Sequence, residues 1–478
     1  MKHRKVFFLA LAALLVPCLT LTGCNRGGGG GNGGYEETDV SEEAEISFYV
    51  WDEYAKFNSL ADSFHEVYPN WTVNVELIAG DYFNNLKSYF GAGTAPDLFY
   101  IEQGEIQQFL VDDLILDLTP YIERSELLSE EDLWSANDGY RYDAETGTIG
   151  EGDLYALCKD ITSEFVMVYN KSHIDEYDAS HETPLKDLVG YPVEEGTDYP
   201  SETVPMTWAQ NELFCRELAR FDNSGNLIRY GTLFDYNPWV HVMEWVQQTG
   251  SSLFSEDGQT FNGEDPNVIA AFQHLTNYQF GDLKSAVPLD VNSISSGQGF
   301  KNGDVSVVWY GRWAWQAYGW YDASFEIGLA PPPMPQAGME PYSATSPVGI
   351  SIKSDTEYPF VAYKFLEFVL TTGSMQTVRS GETYNLPGNR TIASGDAFLE
   401  TDDAQQRELN NYFFDITSEA QTLRYSPYID TSSMTRIFGL EYGKTWDSNA
   451  STRLSASAAL LNCKVSIEQQ IENFMERL

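Results

Sequence analysis

Apolar residues recur along this chain with two alternating periods. The run Ile46-Ser47-Phe48-Tyr49-Val50 has strand spacing and is followed at its carboxyl end by Trp51, Asp52 and Glu53. Leu60, Phe64 and Val67 then repeat at helical spacing until Pro69-Asn70 closes that segment. Trp71, Val73, Val75 and Leu77 alternate as a half-buried strand, and Phe83, Leu86 and Phe90 return to the helical period. The turn Gly91 to Pro96 leads into Asp97-Leu98-Phe99-Tyr100-Ile101. This order of strand, helix, strand, helix, strand predicts an α/β fold with an open, mainly parallel sheet, whose site lies beyond the carboxyl ends of the strands.

The same reading continues downstream. Phe165 to Tyr169 is a further strand, Asp265-Pro266 caps and opens a helix with Val268, Ala271, Phe272 and Leu275 on one face, and Val361, Phe365, Phe368 and Val369 form another such stripe. These stripes are core, not site. The run Pro331-Pro332-Pro333-Met334-Pro335 and the loop to Glu340 mark a break between substructures. No short fixed repeat is visible, which sets aside solenoids and propellers. The patterned body exceeds 400 residues, too many for one core, so two similar lobes are expected.

The amino terminus changes the picture. Lys2, Arg4 and Lys5 precede an apolar run, Val6 to Val16, that is too short to span a bilayer, and Leu21-Thr22-Gly23-Cys24 resembles the bacterial lipobox. Residues 1–23 are therefore read as a lipoprotein signal peptide, with Cys24 acylated as the first mature residue. The glycine tract from Gly27 and the acidic stretch Glu36 to Glu45 make residues 24–45 a flexible tether. Since no later stretch is apolar enough to span a bilayer, the body is expected to be soluble and to meet the membrane through its lipid anchor alone.

Charge excludes one class of partner. The chain carries 28 basic and 71 acidic residues; taking three basic residues away with the signal leaves 25, a formal charge of −46. Nothing in that balance neutralises phosphates, so nucleic acid is excluded as a ligand. Beyond Cys18 and Cys24 there remain Cys158, Cys215 and Cys463, an odd, widely spaced set that is neither a disulfide framework nor a zinc pattern and allows at most one bridge.

Four segments, in order along the body, resemble the extracellular solute-binding proteins of sugar ABC importers, the maltose-binding-protein-like group. They read DYFNNLKSYFGAGTAPDLFYIE from Asp81, LYALCKDITSEFVMVYNK from Leu154, FKNGDVSVVWYGRWAW from Phe300 and PVGISIKSDTEYPFVAYKFLEFVL from Pro347. The resemblance implies a type II periplasmic-binding fold, two α/β lobes with a hinge and an interlobe cleft. The first lobe would comprise residues 46–160 plus 345–400, and the second 161–344 plus 401–478. The chain departs from the family at Cys158, where a Pro usually follows the Tyr-Ala-Leu of the first crossing and fixes a backbone angle that Cys leaves free.

A sugar presents hydroxyls at its edge and apolar C–H faces, so its site needs flat aromatic walls and planar polar side chains. Trp313 stands at the position where the resembling proteins project an aromatic ring into the cleft, between Trp309 and Trp315 and next to Arg312, whose fork suits an acid or a set of hydroxyls. Tyr236 and Trp239 precede a second-lobe helix and are candidate walls; Tyr384 and Asn385 lie in a candidate rim loop. From the first lobe, Trp51 and Asp52 follow the first strand, Glu102 and Gln103 follow the third, and Asp160 adjoins the first crossing.

The expected function is capture of a mono- or oligosaccharide in the cleft and its delivery to ABC permease subunits driven by a separate cytoplasmic ATPase. The protein is read as a monomer on the outer face of the cytoplasmic membrane, with no metal or cofactor. An anchored glycoside hydrolase is the rival class, since a pair among Glu53, Glu102, Asp160 and Asp235 would serve if set at the separation hydrolysis requires. The same fold with a peptide, polyamine or other non-sugar ligand, or a surface adhesin, is the third reading. His-Glu-x-x-His and Gly-x-Ser-x-Gly are absent from the sequence.

Overall fold

The computed structural model describes residues 35–233, 239–280, 296–345, 347–447 and 449–477. Cys24, Tyr236 and Asp235 lie outside these residues, as does the side chain of Trp239, whose backbone begins the helix Trp239–Gln247.

Two sheets organise the body. The first is built from β1 (Ala44–Val50), β2 (Trp71–Leu77), β3 (Leu98–Glu102), β7 (Leu157–Ile161), β14 (Val348–Ile352) and β15 (Leu386–Pro387). Its strand order is β15-β7-β14-β3-β1-β2. The second is built from β8 (Val166–Asn170), β9 (Arg220–Phe221), β10 (Leu227–Thr232), β11 (Val305–Tyr310) and β12 (Ile327–Ala330), in the order β12-β8-β11-β10-β9. A small sheet of β4 (Arg141–Asp143), β5 (Thr148–Ile149) and β6 (Asp153–Leu154) follows β3 in the chain, and β13 (Ala344–Thr345) pairs with β16 (Gln421–Thr422).

The expected strands and helices of the first lobe are present. Alternation in β1 is real: Ala44, Ile46, Phe48 and Val50 are buried while Glu45, Ser47 and Tyr49 are not. The helix Tyr54–Val67 buries Phe57, Leu60, Ala61 and Phe64, leaving Val67 exposed. Phe64 packs against Phe365 and Phe368, and Trp71 against Phe360, all three from the helix Pro359–Leu370. In the second lobe, Asp265 accepts from the amides of Asn267 and Val268 and so caps the helix Pro266–Phe280, as its sequence predicts.

Three expectations need correction. The first sheet is not mainly parallel along its whole width: β1 pairs in parallel with β2 and β3, but β14 runs antiparallel to both β3 and β7. The reason is topological, because β14 re-enters the first sheet from the second lobe, at the edge where β7 leaves it. The Pro-rich run is not a break, since Pro331 to Met334 are buried and Met334 pairs its backbone with Met206 and Thr207. The stretch before β1 is not all free tether, because Tyr35 packs on Tyr121 and Phe360 with the Arg124 guanidinium 4.7 Å from its ring. The helix Ala404–Ser418 buries Leu409 and Phe413 in a core that holds residues of both sheets.

The chain passes from the first sheet to the second between β7 and β8 and back from β12 through β13 to β14, and the helix Ala404–Ser418 then leads to β16, the partner of β13. The crossings are tied to one another. The Glu164 amide donates to the Ala344 carbonyl at 3.0 Å, the Ser163 amide to Thr417 Oγ1 at 2.9 Å, and β13 lies in parallel register with β16. At the first crossing the Cys158 amide donates to Asn137 Oδ1 at 2.9 Å, a hydrogen bond that a Pro in its place could not make. Cys158, Cys215 and Cys463 are buried free thiols.

Gly388 holds the 383–388 loop against β7. A Cβ there would stand 1.9 Å from the Cys158 carbonyl oxygen, a backbone atom that cannot swing away. Gly388→Ala is expected to lower stability by about 1–3 kcal/mol, the usual cost of overpacking, read as a lower urea midpoint.

Candidate functional site

The carboxyl edge of β1 carries a dense charge network. Trp51 is half-buried, its ring held edge-on by Tyr100 at 4.7 Å and Tyr82 at 5.0 Å. Glu53 begins the helix Tyr54–Val67 in a left-handed backbone conformation, φ +51°, which costs a non-glycine residue about 1–3 kcal/mol. Ion pairs stabilise it there: Lys159 Nζ is 2.6 Å from Glu53 Oε2, and Lys56 meets the other oxygen. Lys159 also reaches Asp160 Oδ2 at 2.6 Å and lies 5.0 Å from the Tyr100 ring centroid.

These neighbours push the acids apart. Burial raises the Glu53 carboxyl, but Lys159 and Lys56 outweigh it and hold the group down at about 2. Burial pushes Asp52 up to about 6 against the pull of Lys159, and Asp52 Oδ1 has no hydrogen-bond partner among the described residues. Burial disfavours the Lys159 ammonium, yet Asp160, Glu53 and Asp52 raise it above the ordinary lysine range.

The adjoining strands add further carboxyls. Glu102 and Asp160 flank Val348, each in register with it from opposite sides. Burial, helped by the negative charge of Glu105, pushes Glu102 up to about 7. Glu164 lies in the first crossing, where burial pushes it up to about 8, with Asp160 and Glu102 adding to the shift. The Trp313 indole N–H donates to Glu164 Oε2 at 3.1 Å and opposes that shift. Trp313 is half-buried, edge-on to Tyr310 at 5.2 Å, so its orientation is fixed from two sides.

Of the residues predicted from sequence, Asp52, Asp160, Tyr384 and Asn385 gather around Lys159, and Trp51 adjoins them. Asn385 Nδ2 donates to Asp160 Oδ1 at 3.3 Å, and Lys56 Nζ is 5.9 Å from the Tyr384 ring. Asp160, Tyr384 and Asn385 line a narrow recess with Phe57 and Leu60. Glu102 and Trp313 join the group through Glu164. Two predicted residues are placed otherwise. Arg312 is 1% exposed, and its guanidinium donates to Asn410 Oδ1 and to the Thr383 and Tyr384 carbonyls, which makes it a tie between the end of β11 and the rim loop. Gln103 turns inward, donating to the Ala136 carbonyl at 2.6 Å.

Trp309 and Trp315 are core, the first against Trp245 and the second against Trp320 and Phe413. Sequence reasoning missed Lys159 and Glu164. The signal for both was present, since a strand that ends in Lys-Asp and crosses at Ser-Glu sets those side chains at the sheet edge. Among the described residues, no three His, Cys, Asp or Glu side chains are grouped to hold a metal ion.

A family model, bacterial extracellular solute-binding protein, matches residues 50–376. The chain belongs to that family. No curated protein matches this solute-binding protein by sequence. Solved structures do match it. An ABC substrate-binding protein of Listeria monocytogenes in complex with cycloalternan aligns with a TM-score of 0.72 at 22% identity, over 91% of this chain and 100% of that one. The GacH receptor of Streptomyces glaucescens aligns at 0.68 and 18%, over 90% and 99%. A maltose/maltodextrin-binding domain of Bdellovibrio bacteriovorus bound to maltotriose aligns at 0.66 and 16%, over 90% and 100%. At such identities the likeness establishes the fold, the two-lobed type II periplasmic-binding fold.

The raised carboxyls make a stability prediction. An acid whose folded-state affinity for protons is raised stabilises the fold at low pH, and loses that contribution as pH rises through its folded value. For Asp52, Glu102 and Glu164 those values are about 6, 7 and 8. Glu53 acts oppositely, stabilising above the ordinary Glu range and failing only as pH falls toward about 2. The melting temperature of the ligand-free protein is therefore expected to fall between pH 5 and pH 8, and Glu164→Gln should flatten the upper part of that fall. An identical slope in the variant would show that Glu164 titrates as a solvated acid.

Proposed function

We propose that this solute-binding protein captures a carbohydrate between its lobes and delivers it to the permease of an ABC importer, whose cytoplasmic ATPase is a separate chain. The observation that carries the reading is Trp313. A half-buried indole, locked by Glu164 and Tyr310, offers a flat apolar face next to strand-end carboxyls that accept hydroxyl hydrogens. The structural neighbours support the same reading, having been solved with cycloalternan, with acarbose and with maltotriose. Trp51, Asp52, Glu102, Asp160, Tyr384 and Asn385 would complete the first-lobe side of the site, with Tyr236 and Trp239 as second-lobe walls.

Closure about the crossings supplies the mechanism. A ligand resting on one lobe adds contacts to the other and so favours the closed state, the form that would present both lobe surfaces to the permease. Cys24, acylated, would hold the protein as a monomer at the outer face of the membrane through residues 24–34 and the stretch that follows. No catalytic step is proposed.

Thermal-shift screening with mono- and oligosaccharides is expected to raise the melting temperature for a narrow set of sugars by mass action. Trp313→Ala should weaken that binding about 10–100-fold, the worth of one stacked and buried ring. X-ray scattering should record compaction on saturation with the sugar that binds. Release of reducing ends from oligosaccharides by the purified protein would instead mark a glycoside hydrolase. Cys24→Ser should abolish fatty-acid labelling and release the protein from the membrane fraction.

A further inference from the structure

We propose that Glu105 is a latch between the lobes: a first-lobe carboxylate that completes the amino-terminal cap of a second-lobe helix and so favours one relative placement of the two bodies. The latch concerns the resting arrangement of the protein and does not depend on which solute binds. The capped helix, Thr431–Glu441, packs Met434, Ile437 and Phe438 into a core with Met167, Tyr169 and Val307 of the second sheet. Facing its start is the short helix Ile106–Val111, whose Phe109 packs on Phe99 of β3 in the first sheet.

A helix leaves its first amides without partners inside the helix, so each must be satisfied from outside or by water. Here three are satisfied, and two of the three bonds come from the other lobe. Asp430, the helix's own N-cap, accepts from the Ser433 amide at 2.7 Å. The Thr431 amide donates to the Gly104 carbonyl at 3.3 Å, and the Ser432 amide donates to Glu105 Oε1 at 3.0 Å. The hydroxyls of Thr431 and Ser432 donate to that same oxygen. The other oxygen of Glu105 is 2.8 Å from Lys87 Nζ, and the residue as a whole is 1% exposed. A buried anion at this end of a helix is further favoured by the helix dipole.

The contact continues along one side of the first-lobe helix. Gln108 Nε2 donates to Asp430 Oδ2 at 2.5 Å, and Asp112 is 3.0 Å from the guanidinium of Arg477, just past the helix Ala456–Met475. Residues 104, 108 and 112 recur at helical spacing, which is why they share that side. Gly104 allows the close approach, since a Cβ there would stand 2.1 Å from Thr431 Cγ2 and 2.9 Å from the Tyr425 ring.

All of these bonds lie outside the crossing segments. Because they are polar, water can replace each one when the lobes part, and the contact can form again without first burying a large apolar seam. Rotation about the crossings moves the two sides past each other and uncaps the helix. A solute that favours a different placement must overcome the latch, and one that favours this placement gains from it, so affinity carries the latch's worth.

The test uses the full-length protein with spin labels on ketone-bearing residues at exposed Asp62 and Asp187, one on each lobe. Wild type without sugar is expected to show one narrow separation. Glu105→Ala removes the acceptor, whereas Gly104→Ala leaves it in place and wedges the two sides apart. Both variants should add a second, displaced separation, and amide exchange at Ser432 should quicken about fivefold, the usual worth of a helix cap. For any sugar that wild type binds, the dissociation constant should change about fivefold in the same direction in both variants.

An unaltered separation in both folded variants, or an unaltered sugar affinity, overturns the latch. So does wild-type exchange at Ser432 as fast as at Gln405, the exposed residue at the same position of the helix Ala404–Ser418. That comparison needs no variant, so it decides even if a substitution prevents folding. If no sugar binds, the carbohydrate reading fails while the label separation and the exchange rates still judge the latch.

Discussion

The arrangement of this protein depends on one constraint: a central strand of the first sheet comes from the chain only after it has passed through the second sheet. β14 fills the gap between β3 and β7, yet it is reached only after the chain has left through β7, formed β8 to β12 and returned. The two crossings that flank β14 therefore share one region of the sheet, at the ends of β7 and β14. The crossing segments meet there and share hydrogen bonds, including those of Glu164 to Ala344 and Ser163 to Thr417. A joint made of adjacent, mutually bonded segments restrains sliding more than rotation, which suits two bodies that open and close as units.

The same edge explains where the charge lies. Asp52 follows β1, Glu102 ends β3 and Glu164 follows β7, so these half-buried acids are partly withdrawn from water where the sheet meets the crossings. They keep high proton affinity for that reason, whereas Glu53 is ionised because two lysines surround it. Differences of several pH units among carboxyls in one neighbourhood thus follow from pairing, since all of them are desolvated. The left-handed backbone at Glu53 belongs to the same arrangement, being held by the ion pairs that its side chain makes.

Glu164 links the two features. It is part of a crossing, and it also anchors the Trp313 ring, so the joint and the candidate ligand wall are one hydrogen bond apart. Rotation at the joint would therefore be communicated to the ring directly, with no relay through the core.

Much of this was legible in the sequence. Period-two and period-three-to-four apolar spacing located β1, β2, β3 and β8 and the helices after β1 and β2, because burial on one face is a local property of a strand or helix. Family segments supplied the two-lobed fold and Trp313. What the sequence could not reveal was pairing between distant residues. Arg312 read as a cleft residue, but it is buried against Asn410, 98 positions away, and Gln103 turns inward to Ala136. Lys159 meets Glu53 across 106 positions, which decides which acid is ionised. The direction of β14, the docking of the Pro-rich run and the contact of Tyr35 with Phe360 are likewise set by what lies across the fold. Local spacing determines which residues are buried; only the tertiary structure determines what each one is buried against, and the charge and role of a side chain follow from that neighbour.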